Sequence, residues 1–292
     1  MSAAVTDIVD AQIHIGPGRI DETLAQMDAL GVRGALIDEY WLRNFNGEPH
    51  HALPRGYRPV APTAELAAQL HPARFSYLLR VNRHDPEAAS LIRLMRDAPG
   101  CRALRIDPGM NREDAAAFAD GRYDAICAAA AEAGLPLFVF APDDPAAFAR
   151  LAQAFPDLRI AVDHCGVFSN AMRATIGGGL PPRDAAQQLA LFDQVVALGR
   201  FDNVALKWGH ASGMFDTPAW PGEVLWPILR RALDGFGAQR VMWASDFSVN
   251  QRGESWADLL YGVKGDPGLS VAERDWVLGG ALRRWIDWPG AA

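Results

Sequence analysis

The chain has 292 residues, half of them hydrophobic and 22% charged, with 28 lysines and arginines against 35 aspartates and glutamates for a formal charge of −7. That apolar content supports a sizeable buried core and excludes a disordered chain, while the acidic balance excludes a phosphate-tracking nucleic-acid surface. Cys101, Cys127 and Cys165, the only cysteines, have no CxxC spacing, which excludes a disulfide framework and a thiolate zinc site and points to a reducing cytoplasm. The opening MSAAVTDIVDAQIH has no basic segment ahead of an apolar one, and no apolar run approaches the ~18 residues of a membrane span, so neither export nor membrane residence is expected.

In chain order, short apolar β-prone runs alternate with amphipathic segments. The predicted strands are residues 7–15, 34–39, 75–82, 101–107, 135–141, 158–165, 203–209 and 240–246. Helix-type spacing lies between them, as in Phe148, Leu151, Ala152 and Phe155 behind a capping Asp144 and a first-turn Pro145. Ser270 and Glu273 form a capping-box signature ahead of Trp276, Val277, Ala281 and Trp285. Eight strand-then-helix units with nearly continuous apolar strands predict one α/β domain over 1–292, a parallel (β/α)8 TIM barrel. Residues 41–60 carry Trp41, Arg43, His50, His51, Arg55 and Arg58 without a helical period. A connection longer than ~12 to 15 residues is a candidate lid, with a solvated excursion as the equal alternative. Residues 177–182, GGGLPP, lack the strand-turn-helix setting of a phosphate loop and read as flexible chain.

Side chains at the carboxy ends of such strands converge on one mouth. Those ends carry Gln12 and His14, Asp38 and Glu39, Arg80 and Asn82, Arg105 and Asp107, Phe140, Asp163 and His164, Lys207 and His210, and Ser245 and Asp246. Charged groups at nearly every end predict a polar binding cavity, because they are costly to bury without partners. In D-x-Q-x-H, residues two apart share a side of the strand, so Gln12 and His14 are both expected to face the barrel axis.

The runs DAQIHIG, LPLFVF, DHCG, NVALKWG and WASD, in this order over about residues 5 to 288, closely resemble the amidohydrolase-related branch of the amidohydrolase superfamily. Within it, the nearest likeness is to lactonases similar to 2-pyrone-4,6-dicarboxylate hydrolases. The resemblance implies a distorted, amidohydrolase-like (β/α)8 barrel with D-x-H-x-H on the first strand, histidines on the fifth and sixth, and an aspartate on the eighth. His14, His164 and Asp246 match; Gln12 replaces the first histidine of the pair and Phe140 the fifth-strand ligand. A carboxamide is a poor zinc ligand and a phenyl ring is none, so no metal cofactor is expected, with a residual zinc on His14, His164 and Asp246 as the alternative.

The expected function is metal-independent hydrolysis of a lactone or similar activated cyclic ester of an anionic small molecule. Asp246 is the expected general base, with His14 and His164 as carbonyl-polarising donors and Gln12 as a further donor. Arg80, Arg105 and Lys207 either clamp a substrate carboxylate or pair inside the mouth with Asp38, Glu39 or Asp107. Phe140 and Trp208, with Trp243, are expected to give the cavity an aromatic wall. His210 is a substrate-side candidate whose plainer reading is a loop histidine. The alternatives are a lyase or decarboxylase of an aromatic or muconic-type acid, or a barrel that binds a small molecule without catalysis. Neither nucleic acid nor membrane is an expected partner, and a homo-oligomeric state is left open.

Overall fold

The computed structural model describes residues 7–40, 47–249 and 253–290. Its strands, in chain order, are β1 (Ile8–Ile13), β2 (Val32–Asp38), β3 (His50–Leu53), β4 (Gly56–Pro59), β5 (Phe75–Arg80), β6 (Cys101–Ile106), β7 (Leu137–Val139), β8 (Ile160–Val162), β9 (Val204–Gly209) and β10 (Val241–Ala244). Eight of them form one sheet in the order β1-β2-β5-β6-β7-β8-β9-β10, with each adjacent pair parallel. The seam from β10 back to β1 is bridged by Asp246 N–H to the Gln12 carbonyl at 3.0 Å and by Ser245 N–H to Asp10 Oδ1 at 2.9 Å. This is a nearly closed (β/α)8 barrel, and all eight predicted strands are in it. No helix among the described residues is long and apolar enough to cross a membrane.

The caps read from the sequence form. Asp144 accepts from Ala147 N–H at 2.9 Å, and Ser270 and Glu273 make a reciprocal capping box. The stretch 41–60, read as lacking a helical period, carries two strands. Residues 41–46 lie outside the described residues, while β3 and β4 pair as an antiparallel hairpin with His50 opposite Pro59. Exposed polar side chains on both faces of β3 hid the strand period. The hairpin is pinned to the body by a two-point ion pair, Arg58 Nε to Asp85 Oδ2 at 2.6 Å and Nη2 to Oδ1 at 2.9 Å.

Inside the barrel, inward residues from Val9 on β1 to Met242 on β10 pack around Phe138, and Leu282, Trp285, Ile286 and Trp288 seal the floor opposite the mouth. A parallel barrel is filled by such layers, so it is a core rather than a pore. On β1 the pairing steps from Asp10 opposite Ala35 to Ile13 opposite Ile37, three residues against two. This bulge changes which side chains face inward. Val9 and Ala11 belong to the inner core, and beyond the bulge Gln12 and His14 turn into the mouth. Asp10 instead meets Gln12 N–H at 3.0 Å and the Trp256 indole N–H at 2.7 Å, and burial pushes its carboxyl up to about 6.

The floor tolerates little added volume. A Cβ on Gly34 would lie 2.9 Å from the Trp288 ring and 3.2 Å from Val9 Cγ1. Gly34→Ala is therefore expected to destabilise the protein by about 1–3 kcal/mol through overpacking. Urea unfolding reads this directly, and an unchanged midpoint would show that Trp288 gives way.

Candidate active site

Asp246, two residues beyond the end of β10, is the node of the mouth. Its Oδ1 lies 2.8 Å from His14 Nε2, and its Oδ2 lies 3.0 Å from His164 Nε2 and 3.5 Å from His210 Nδ1. Burial would raise this carboxyl, but the His14 charge and hydrogen bonds from His14, His164 and His210 outweigh it and hold the pKa well below the carboxylate range. Asp246, His164 and His210 all adopt left-handed backbone, with φ of 52°, 48° and 54°. Such non-glycine conformations store strain of order 1–3 kcal/mol each and persist only where surrounding contacts enforce them. Here the tight turn after each strand swings the side chain back over the barrel axis.

Each histidine is oriented from behind. His14 Nδ1 bonds to the Asp38 carbonyl oxygen, and His14 N–H donates to Ser248 Oγ at 2.8 Å. Asp163 Oδ1 receives both the His164 backbone N–H and His164 Nδ1 at 2.8 Å. Burial opposes charge on His164, yet the Asp163 carboxylate overcomes it, so the imidazole pKa is raised. Asp163 is itself ionised well below its ordinary range: burial raises it, but Arg105 and Lys207 prevail. Lys207 Nζ touches Asp163 Oδ1, while Arg105 Nη2 sits 3.0 Å from Asp163 Oδ2, off the hydrogen-bonding direction.

Of the two roles open to the arginines, the geometry realises pairing. Arg80 spends Nε and Nη2 on Asp38 at 2.7 and 2.8 Å and Nη1 on Asp107 at 3.0 Å. Arg105 bonds to Asp107 through Nε at 2.6 Å and to Asp38 through Nη1. Lys207 pairs with Asp163 and Gln12 and has no exposed surface. The three cations are thus matched by Asp38, Asp107 and Asp163, the pairing alternative of the two the sequence left open, while Arg80 and Arg105 also line the cavity.

Above the node lies a cavity of about 330 Å³ lined by Gln12, His14, Arg80, Arg105, Phe140, His164, His210 and Asp246, with Tyr40 and Met110 added by the structure. Tyr40 stacks edge-on to His14 at 5.7 Å and lies 5.2 Å beneath the Arg80 guanidinium. Its signal in the sequence was its place two residues past the end of a mouth-forming strand. Phe140 meets His164 edge-on at 5.1 Å, so the ring packs the imidazole at the position where the resemblance implies a fifth-strand ligand. Trp208 and Trp243 are off the cavity. Trp208 lies against Phe192 and Phe215 on the helix side of β9, because Lys207 takes the inward direction and its neighbour must point outward. The expected aromatic wall therefore reduces to Phe140. His210, whose plainer reading was a loop histidine, faces Asp246 instead.

Among the described residues, His164, His210 and Asp246 bring ligand atoms within 4.8 Å of one another, the three-donor count of a catalytic zinc. The first-strand half of the metal site that the resemblance implies does not fit. Gln12 receives Lys207 on its oxygen and turns its NH2 inward, and an amide nitrogen offers no lone pair to a cation.

The amidohydrolase family model matches residues 9–286. Among solved structures, a zinc-bound amidohydrolase from Burkholderia multivorans is 18% identical, with a TM-score of 0.71 over 97% of this chain and 100% of the other. A candidate 2-pyrone-4,6-dicarboxylic acid hydrolase from Pseudomonas putida is 17% identical at 0.70, over 98% and 99%. The 5-carboxyvanillate decarboxylase from Sphingomonas paucimobilis is 14% identical at 0.61, over 97% and 100%. These identities speak for the fold. No curated protein matches by sequence.

The site sets a pH window for stability. Asp38, Asp163 and Asp246 are all lowered, so their contribution is complete above about pH 4 and is lost as pH falls through their folded values. His164 is raised, so its contribution is complete below about pH 6.5 and fades as pH rises through its folded value. Asp10, raised to about 6, adds a cost as pH climbs towards that value. Urea midpoints followed from acid to alkaline pH are expected to peak between about pH 4 and 6.5. A maximum on the alkaline side of neutrality would contradict these shifts.

Proposed function

The chain belongs to the amidohydrolase family, and from that premise we propose that it hydrolyses a lactone or another activated cyclic ester of a small polar molecule without using a metal. The observation that carries this reading is the Asp246 carboxylate, open to a cavity of about 330 Å³ and held by His14 on one oxygen and by His164 and His210 on the other. Ester hydrolysis needs a group that orients water and takes its proton, donors for the oxyanion, and a proton for the leaving oxygen. Asp246 fills the first role. The imidazoles make it a weak base, so its contribution lies in placing the water and accepting the proton as the carbon–oxygen bond forms. His164 fills the others: its raised pKa enlarges the protonated fraction near neutrality, and its Nε2–H points to the same oxygen-rich corner. The ring C–O bond then breaks, the ring oxygen takes a proton, and the product is a hydroxy acid.

Zinc held by His164, His210 and Asp246 would supply Lewis-acid polarisation of the carbonyl. The proposal does not route a step through it, since Gln12 and Phe140 stand at two ligand positions that the resemblance implies. It also leaves aside the need for an acidic substrate, because both guanidiniums are already engaged by carboxylates.

A panel of γ- and δ-lactones followed by acid release, with and without chelator, tests the reaction. Carbon dioxide release from aromatic carboxylates in its place would favour the decarboxylase reading. Asp246→Asn keeps the shape and removes the base, so kcat is expected to fall by ~10²–10⁴ with KM little changed. Normal turnover by a folded Asp246→Asn protein would remove Asp246 from the mechanism. Arg80→Met leaves Asp38 short of a partner in a buried setting, where breaking a pair costs about 3–5 kcal/mol. It should lower Tm and raise KM equally for an acidic lactone and its methyl ester; a selective loss for the acid would restore the clamp.

A further inference from the structure

Gln12 stands where the family resemblance implies a metal-binding histidine, and the fully buried Lys207 stands behind it. Lys207 Nζ contacts Gln12 Oε1 and Asp163 Oδ1. An ammonium only donates, so the carboxamide oxygen must face it, and the NH2 end is fixed by exclusion. That end lies beside His14 Nε2 at 2.9 Å and meets two carboxylate oxygens, Asp246 Oδ1 at 3.3 Å and Asp38 Oδ2 at 3.4 Å. Two carboxylate oxygens converging on one point form an environment that calls for positive charge.

We propose that the Gln12 carboxamide, turned by Lys207, fills the first-strand half of the family's metal site with amide hydrogens in place of a cation. This keeps the cluster free of a tightly held divalent metal. The inference rests on the metal-independent reading of the same site. Two effects act together. The inward NH2 brings partial positive charge and no lone pair, and the Lys207 charge raises the cost of placing a second cation in the same buried belt. Asp246 Oδ1 is meanwhile committed to His14 and Gln12, which leaves the His164, His210 and Asp246 group one oxygen to offer. Lys207 is thus a positioning residue, acting through Gln12 on one side and Asp163 on the other.

Gln12→Glu is nearly isosteric: one oxygen can keep Lys207 while the other replaces the inward NH2. The wild-type chain, Gln12→Glu and Lys207→Met are each loaded with Zn²⁺, gel-filtered and measured for bound metal, with affinities from competition against a chromophoric chelator. The wild type is expected to retain well under one equivalent and Gln12→Glu close to one, with affinity higher by roughly 100-fold. Lys207→Met should shift affinity the same way, since the freed amide can rotate its oxygen inward. A wild type that keeps an equivalent of zinc against chelator overturns the proposal, as does a folded Gln12→Glu that binds no more tightly than the wild type. Should the variants not fold, the wild type still decides through its zinc content and the Gln12 side-chain amide in ¹⁵N–¹H spectra. The amide hydrogens are expected to exchange slowly, and exchange as fast as that of surface glutamines overturns it. None of these readouts uses a substrate, so an absence of lactone turnover would refute the proposed reaction while leaving the metal question decided.

Discussion

Burying carboxylates at the end of an apolar barrel is the constraint on which the mouth depends. Asp38, Asp163 and Asp246 have almost no exposed surface, and each would be strongly destabilising alone. Each is instead met by partners carried on neighbouring strands. Asp38 on β2 is met by arginines from β5 and β6, Asp163 after β8 by Arg105 and Lys207, and Asp246 after β10 by imidazoles from β1, β8 and β9. Removing any one partner strands a charge away from water. The chemistry and the stability of this end of the barrel are therefore the same set of interactions.

The seam between β10 and β1 makes that coupling tighter. Asp10 faces out of the barrel and gathers the Gln12 and Ser245 amides and the Trp256 indole, while the Asp246 amide reaches the Gln12 carbonyl. The backbone that closes the barrel is thus the backbone that carries Gln12 and Asp246. The β1 bulge adds the other half of the arrangement, giving the floor its apolar Val9 and Ala11 and the mouth its polar Gln12 and His14 from one short strand. Without the extra residue, the alternation of the strand would send Gln12 outward.

The barrel was legible in the sequence because strands buried on both faces leave nearly continuous apolar runs, such as VALKWG and LFV. The β3–β4 hairpin was not, since its exposed residues carry no alternation. Of the strand-end groups, Gln12, His14, Arg80, Arg105, Asp107, His164, His210 and Asp246 line the cavity, but strand-end reasoning left open whether Arg80 and Arg105 face substrate or Asp38, because pairing depends on the register of neighbouring strands. Trp208 was misplaced for a simpler reason: with Lys207 directed inward, parity along β9 sends the indole to the helices. His210 was undervalued because its direction comes from a left-handed turn after β9, and no residue pattern announces a positive φ at histidine.

That left-handed backbone also shapes what substitutions the site can absorb. At Asp246, His164 and His210 most side chains would add their own steric cost, whereas asparagine, aspartate, histidine and glycine adopt this region comparatively readily. In the genetic code, aspartate, asparagine and histidine are related by changes of a single nucleotide. Drift at these three positions is thereby channelled among residues that accept protons, donate hydrogen bonds or bind metals, and away from aliphatic residues that would silence the mouth. Backbone shape acts here as a filter on mutation, so a lineage on this scaffold exchanges one polar chemistry for another more easily than it loses chemistry altogether.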